Sequence, residues 1–229
     1  MVGGSSLSRA ADVYSERGRG AIVQYGFHFN GRRCTGCKTC MLACKDFHDL
    51  GYDVAFRQVY EYGGGTWSRD AEGALSQDCF TYYVSVACNH CANPVCVKVC
   101  PTGAMHKGDR GIVTVDGQRC IGCGYCALSC PYRAPKVDRE AGHSAKCDLC
   151  ADRLDAGKSP ICVEACPLRA LDFGEVGDLR ARYGTVADLA PLPSASVTSP
   201  HVVITLPRCL EDEPSRAGTG EVQNRREIV

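Results

Sequence analysis

No run of apolar residues in this chain approaches the ~20 that a membrane-spanning helix requires; residues 202–206 form one of the longest, and they fall far short. Neither sign of charge is in surplus, with 26 Lys+Arg against 26 Asp+Glu. There is thus no basic footprint for nucleic acid and no acidic tail. Residues 1–20 are rich in Gly, Ser and Arg and lack the apolar core of a signal peptide. Arg32-Arg33 is a twin-arginine pair in name only, because cysteines follow it and not a hydrophobic stretch. The expectation is a chain made without its own export signal. No Ser/His/Asp set, phosphate loop or paired-acid motif can be made out, so no catalytic residue is expected. Charged residues at 23% and apolar residues at 45% are ordinary for a globular chain, which excludes wholesale disorder. A length of 229 residues suits one large domain or two small ones.

The residue present in excess is cysteine, 18 of 229 or about 8%. Sixteen of the 18 fall into four groups of four, leaving Cys79 and Cys209 as singletons. The first group is Cys34, Cys37, Cys40 and Cys44, spaced C-x2-C-x2-C-x3-C, and the third repeats it with Cys120, Cys123, Cys126 and Cys130. The second, Cys88, Cys91, Cys96 and Cys100, is C-x2-C-x4-C-x3-C; the fourth, Cys147, Cys150, Cys162 and Cys166, is C-x2-C-x11-C-x3-C. Three groups end on a proline (Pro101, Pro131, Pro167), whereas the first has Lys45 there, which leaves its helix free to continue.

Three chemistries compete for such a pattern. Disulfide scaffolds belong mostly to short secreted chains and need no regular spacing. Structural zinc is the sharper rival, since C-x2-C pairs make good zinc knuckles and the fourth group alone could pass for one. The repeated closing C-x3-C, usually followed by proline, is instead the spacing of bacterial-type [4Fe–4S] ferredoxins, where the fourth cysteine of one group serves the other group's cluster. Physically, Gly36 and Gly122 let a tight loop turn with positive φ and bring backbone N–H groups toward sulfur. The closing pair at i and i+4 lies one helical turn apart on one face, so one cysteine can reach back and the other forward. Proline then disfavours further helix.

The groups form an internal repeat that includes its strands. Between the second and third, residues 101–106 and 111–116 read as two short strands, and residues 167–173 as the matching exit from the fourth. The fold class expected is α+β: two ferredoxin-like units of the bacterial 2[4Fe–4S] type with long loops, one inserted within the other. The inserted unit is 88–130; the outer one is 19–87 with 131–206; 1–18 is expected to be disordered and 207–229 a polar tail. Residues 22–29 and 80–86 read as strands, 177–183 as a turn or two of helix, and 191–200 as an extended strap across a surface.

In these cysteine groups and their flanks the chain resembles a known family, the iron–sulfur subunit of the dimethyl sulfoxide reductase type of membrane oxidoreductase. The stretches that carry it are QYGFHFNGRRCTGCKTCMLACKDFHDL, CNHCANPVCVKVCPTGAMHKGDRGIVTVD, CIGCGYCALSCPYRAPK and KCDLCADRLDAGKSPICVEACPLRALDFG, within residues 24–206. The resemblance implies a crossed ligation of four [4Fe–4S] clusters. Cys34, Cys37, Cys40 and Cys166 would hold a first, facing a catalytic subunit, and Cys147, Cys150, Cys162 and Cys44 a second. Cys88, Cys91, Cys96 and Cys130 would hold a third, and Cys120, Cys123, Cys126 and Cys100 a fourth, nearest the membrane. Some relatives carry Trp at the place of Cys126 and hold a [3Fe–4S] centre; cysteine here implies four cubanes.

The same resemblance implies an electron-transfer subunit without a substrate site, between a molybdopterin (Mo or W) catalytic subunit and a quinol-oxidising integral membrane anchor. It implies a peripheral place in a membrane-associated complex, with export on a partner's signal and an S-oxide or N-oxide as acceptor. A complex run oxidatively, on formate or reduced sulfur, has the same wiring, though formate dehydrogenase relatives carry a C-terminal membrane helix that this tail lacks. Potentials of such centres range over roughly −700 to +450 mV and respond to hydrogen bonds, burial and charge, so Lys38, Lys45, Lys98 and Lys146 are candidates for raising them. Without iron the chain is expected to be largely unfolded, the clusters standing in for a hydrophobic core. His90, His106 and His143 are expected to be structural or surface residues, Cys79 a buried free thiol, and Trp67, Tyr82 and Tyr83 core aromatics.

Overall fold

A computed structural model describes residues 23–228. The expected disordered segment 1–18, and the start of the strand expected from residue 22, lie outside the described residues. The elements begin with β1 (Tyr25–Asn30), α1 (Thr39–Phe47), β2 (Gln58–Gly64), β3 (Trp67–Arg69), β4 (Leu75–Gln77) and β5 (Phe80–Val86). The middle of the chain holds α2 (Val95–Lys98), β6 (Met105–Lys107), β7 (Val113–Val115), α3 (Tyr125–Ser129), β8 (Lys136–Asp138) and β9 (His143–Ala145). It closes with α4 (Ala151–Asp155), α5 (Ile161–Glu164), β10 (Leu171–Glu175), α6 (Val176–Tyr183), β11 (Val202–Thr205), α7 (Arg208–Asp212) and β12 (Glu221–Val222). No helix among the described residues is long and apolar enough to cross a membrane.

In the first sheet β1 is central, antiparallel to β10 and parallel to β11. Its sequence YGFHFN alternates, and both faces are covered: Phe27 and Phe29 turn to one side, His28 to the other. His28 is buried, bonded through Nε2 to Thr205 Oγ1 at 2.9 Å and stacked on Tyr183 at 3.6 Å between centroids. Burial lowers its pKa to about 4 against the pull of Asp172, so the ring is neutral where it packs. Gly26 is required at the crossing, because a Cβ there would stand 2.2 Å from the His201 carbonyl oxygen.

The second sheet runs β12-β2-β5, with β2 and β5 in register from Gln58↔Val86 to Gly64↔Phe80. Here the C-terminal segment departs from the expected polar tail. It folds back as α7 and β12, burying Leu210 and pairing Val222 with Tyr62. Asn224 then continues the ladder by side chain, accepting from Glu61 N–H and donating to the Val59 carbonyl, each at 2.9 Å. The scattered apolar residues Leu210, Ala217 and Val222 pack on the core while Glu211 and Glu213 face out, a pattern too sparse to read as an element.

Other expectations shift for local reasons. The exit from the fourth group starts as a strand only at Leu171, because Arg169 adopts φ 51 and its N–H closes a turn onto Cys166 O. The strap at 191–200 contains a 3-10 turn at Ala195–Val197 and lies on this chain's own surface, where the carbonyls of Thr198 and Ser199 accept from Asn93 and Ala92 N–H. Trp67 is 68% exposed on the β3–β4 hairpin instead of in the core, and Cys79, at the foot of that hairpin, is exposed instead of buried. Tyr82 is buried and Tyr83 partly so.

The core is not made of cysteine alone. Phe27, Phe29, Val59, Val84 and Ile204 pack in one cluster with Cys40, Cys44, Cys88, Cys147 and Cys162, so the sulfurs share an aliphatic and aromatic core. A smaller cluster joins Cys96, Met105, Val113 and Cys126. Gly26→Ala is expected to destabilise the protein by about 1–3 kcal/mol through overpacking of the central strand. Gly177→Ala in α6, where a Cβ meets nothing within 4 Å, should be neutral or stabilising; denaturant midpoints of the iron-loaded protein check the pair.

Candidate metal centres

Four sets of thiols come together, each drawn from two distant stretches of chain. Cys34, Cys37 and Cys40, from the loop before α1 and its first turn, line one pocket together with Cys166. Cys120, Cys123 and Cys126 line another with Cys100, and Cys88, Cys91 and Cys96 a third with Cys130. Cys44, Cys147, Cys150 and Cys162 are all buried, and each of Cys44, Cys147 and Cys150 counts other members of this set among its charged neighbours. In every set three cysteines come from one group and the last from another.

The loops are built for this. Gly36 and Gly122 adopt φ 69 and 66; a Cβ at Gly36 would lie 2.3 Å from the Tyr83 ring, and one at Gly122 would lie 2.7 Å from Gly142 O. Backbone N–H groups of Met105, Ser144 and Ala170 point at Cys100, Cys120 and Cys166 sulfur at 3.3–3.4 Å. In α1 the helix continues past Cys44 to Phe47, with Lys45 where the other groups have proline. There Cys40 faces one thiol set and Cys44, one turn on, faces another.

Burial, reinforced by neighbouring sulfur, raises the thiol pKa of Cys44 and Cys96 to about 12 and of Cys34, Cys91 and Cys150 to about 11. Packed thiols of this kind ionise only against a bound cation, and metal ligation requires the thiolate. A lone zinc would draw four sulfurs to about 2.3 Å of one point; sulfurs lining a common pocket, with backbone N–H groups turned toward them, suit a polynuclear group. Asn89 Nδ2, in the wall of the third cavity, is buried without a hydrogen-bond partner among the described residues, a donor suited to inorganic sulfide.

The four sets form a line. Cys40 of the first has Cys162 of the second as an electrostatic neighbour, and Cys147 of the second has Cys88 of the third. Cys96 of the third and Cys126 of the fourth share the smaller core cluster. Only the end sets contain exposed cysteines, Cys37 and Cys123. Exposed apolar side chains line both ends: Leu168 at the first, Ile121 and Tyr125 at the fourth.

Of the lysines considered for tuning, Lys38 pairs with Glu227, Lys45 donates to the carbonyls of Gly51, Tyr52 and Val54, and Lys98 is exposed. Lys146 alone is buried. His90 accepts from Val113 N–H through Nδ1, His106 bonds Ala104 O, and His143 bonds Ser144 O. Cys209 lies in α7, packed against the core. Several site residues carried no sequence signal. Ser85 touches Cys40 at 3.4 Å, Ser144 touches Cys126 at 3.1 Å, and His48 Nε2 touches Cys150 at 3.3 Å. His48, Asp148 and Cys150 present ligand atoms within 4.8 Å of one another, at the edge of the second set. Only strand register and helix packing bring such residues to sulfur, which spacing does not encode.

Comparison with known proteins answers the choice of metal. The "4Fe-4S dicluster domain" family matches residues 79–176, and the "4Fe-4S binding domain" family matches residues 33–56. The B subunit of an anaerobic dimethyl sulfoxide reductase from Haemophilus influenzae is 57% identical over 183 residues, covering 80% of this chain and 89% of the relative. The corresponding B subunit from Escherichia coli K12 is 53% identical over 206 residues, 90% of this chain and 99% of the relative. A thiosulfate reductase electron transfer subunit of Salmonella typhi is 41% identical over 156 residues, 68% of this chain and 78% of the relative.

Gly36→Ala, which meets the Tyr83 ring and a strained φ at once, should cost the first thiol set its metal and leave the others filled. Iron analysis would then fall by about four atoms per chain, one cubane; full retention would refute the cradle role.

Proposed function

This chain belongs to the iron–sulfur B subunits of the dimethyl sulfoxide reductase family, a non-catalytic electron-transfer subunit with [4Fe–4S] cofactors, and from that premise we propose its place in the complex. It carries electrons through four [4Fe–4S] clusters between a quinol-oxidising membrane anchor and a molybdopterin catalytic subunit that reduces an S-oxide or N-oxide. The observation that carries this reading is the succession of four neighbouring thiol sets, of which only the two end sets contain an exposed cysteine. A line with two open ends suits a conductor that meets a different partner at each.

The ligand sets proposed are Cys34, Cys37, Cys40 and Cys166; Cys147, Cys150, Cys162 and Cys44; Cys88, Cys91, Cys96 and Cys130; and Cys120, Cys123, Cys126 and Cys100. Support comes from the shared cavities and from sulfur proximity in the second set. Helix packing supports the insertion of the unit 88–130 within 19–87 and 131–206: α1 packs on α5, and α2 on α3. Each bound cluster supplies reversible one-electron chemistry at a potential the protein sets. The chain's own part is to exclude water from the middle sets, hold the sulfurs in register and present N–H donors to them.

The exposed apolar residues at the ends supply docking surfaces of the kind large partners cover. We assign the first end, at Leu168, to the catalytic subunit, and the fourth, at Ile121 and Tyr125, to the anchor, which makes the chain peripheral to the membrane. The reductive direction is favoured over an oxidative one because the similar proteins are reductases by name.

Metal analysis of the complex purified anaerobically from native membranes should find about sixteen iron atoms per copy of this chain, four per cubane, with Mo or W from a partner. Zinc in place of iron would sink the reading. The crossing is tested by Cys166→Ser, expected to alter the electron paramagnetic resonance signal that Cys37→Ser alters and to spare the one that Cys150→Ser alters; the reverse result refutes it.

A further inference from the structure

Two cations, Arg57 and Lys146, lie buried in the interior among the thiols. Arg57, at the entry to β2, is 2% exposed. The Phe27 ring lies under its guanidinium at 4.6 Å, and Nη1 donates to the Ser85 hydroxyl at 3.1 Å. Its Nε and Nη2 are buried with no hydrogen-bond partner among the described residues. A guanidinium stripped of water, with donors unused and no ion pair among the described residues, is costly unless negative charge lies beside it.

What lies beside it is sulfur. The Ser85 hydroxyl that receives Nη1 is also 3.4 Å from Cys40 Sγ, in the wall of the first cavity. The sulfurs of Cys162, Cys40, Cys147 and Cys44 are the groups of opposite potential charge around it. Cys40 belongs to the first set and the other three to the second, so Arg57 occupies the gap between them.

Lys146 stands similarly one gap further on. It is 5% exposed, precedes Cys147 of the second set, and donates through Nζ to the carbonyls of Cys147 and Val113. Val113 lines the third cavity. The last gap, between the third and fourth sets, is filled by Met105 and Val113.

We propose that Arg57 and Lys146 are cations interposed between neighbouring clusters, Arg57 between the first and second and Lys146 between the second and third, each raising the reduction potential of both neighbours. The proposal rests on the ligand sets assigned above. Reduction adds one electron to a cluster that is already anionic, next to another anionic cluster. In a low-dielectric interior that repulsion is strong, and a fixed cation in the gap offsets it. Both residues act on the clusters by charge, without ligating iron.

The test is a potentiometric titration followed by electron paramagnetic resonance on the whole complex, for the unaltered protein, Arg57→Gln, Arg57→Lys and Lys146→Gln. Centres are assigned by Cys→Ser at Cys37, Cys150, Cys91 and Cys123. Arg57→Gln keeps amide donors and loses charge. It should move the reduction equilibria of clusters one and two tenfold or more toward the oxidised form, about 59 mV for one electron. Arg57→Lys should stay within threefold of the unaltered protein, and Lys146→Gln should move clusters two and three. Cluster four should hold still throughout.

An iron-loaded Arg57→Gln with clusters one and two unmoved overturns the proposal. So does an Arg57→Lys that shifts as far as Arg57→Gln, or an equal shift of all four centres. If Arg57→Gln does not retain iron, Arg57→Lys and Lys146→Gln decide by the same criteria. Fewer than four centres in the unaltered complex would instead refute the ligand sets, a failure distinct from that of the cations.

Discussion

Cys44 follows Cys40 by four positions of helix, and much of this architecture follows from that spacing. One turn of α1 carries two sulfurs that open onto different thiol sets, so a single rigid element holds both neighbours at a set separation. The second, third and fourth groups reach the same result with a shorter helix, which ends at or before the closing cysteine. Proline follows in those three groups and turns the chain away. In the first group Lys45 takes that place and the helix runs on to Phe47, its ammonium securing the following loop through three carbonyls.

Bringing so much sulfur into one interior concentrates negative charge where water cannot screen it. Burial raises the thiol pKa values, the neighbouring sulfurs add to the rise, and the charged form becomes tenable only with metal bound. The same constraint explains why a guanidinium and an ammonium are tolerated at depths where either would ordinarily be prohibitive. Phe27, Ser85 and the Val113 carbonyl, all on strands, position these cations, so the sheets serve electrostatics as well as burial.

Segments remote in sequence complete the enclosure. The C-terminal segment adds β12 to the second sheet, and its Glu227 and Glu211 meet Lys38 and Arg32 beside the first cysteine group. The strap at 191–200 brings Thr198 into the wall of the third cavity. Both segments look dispensable by composition, yet each packs beside a cysteine group.

Cysteine spacing was enough to read the number of metal groups, their chemistry among iron, zinc and disulfide, and the turns at Gly36 and Gly122, because each depends on residues a few positions apart. β5 and β7 were legible for the same reason, as short runs of β-branched and aromatic residues; of the strand expected at 101–106 only the end forms, in β6, because 101–103 make a turn. The exposure of Trp67 and Cys79 was not, since a hairpin too short to fold back on the core leaves its aromatics in water whatever their hydrophobicity. Nor was the ordered C-terminal segment, whose few apolar contacts matter only once β2 offers an edge. Arg57, Ser85, His48 and Asn89 acquire their roles across separations that no local pattern records. A buried cation next to sulfur is defined by what the folded chain excludes, which is water, and that exclusion exists only when the two sheets and the helices between them have closed.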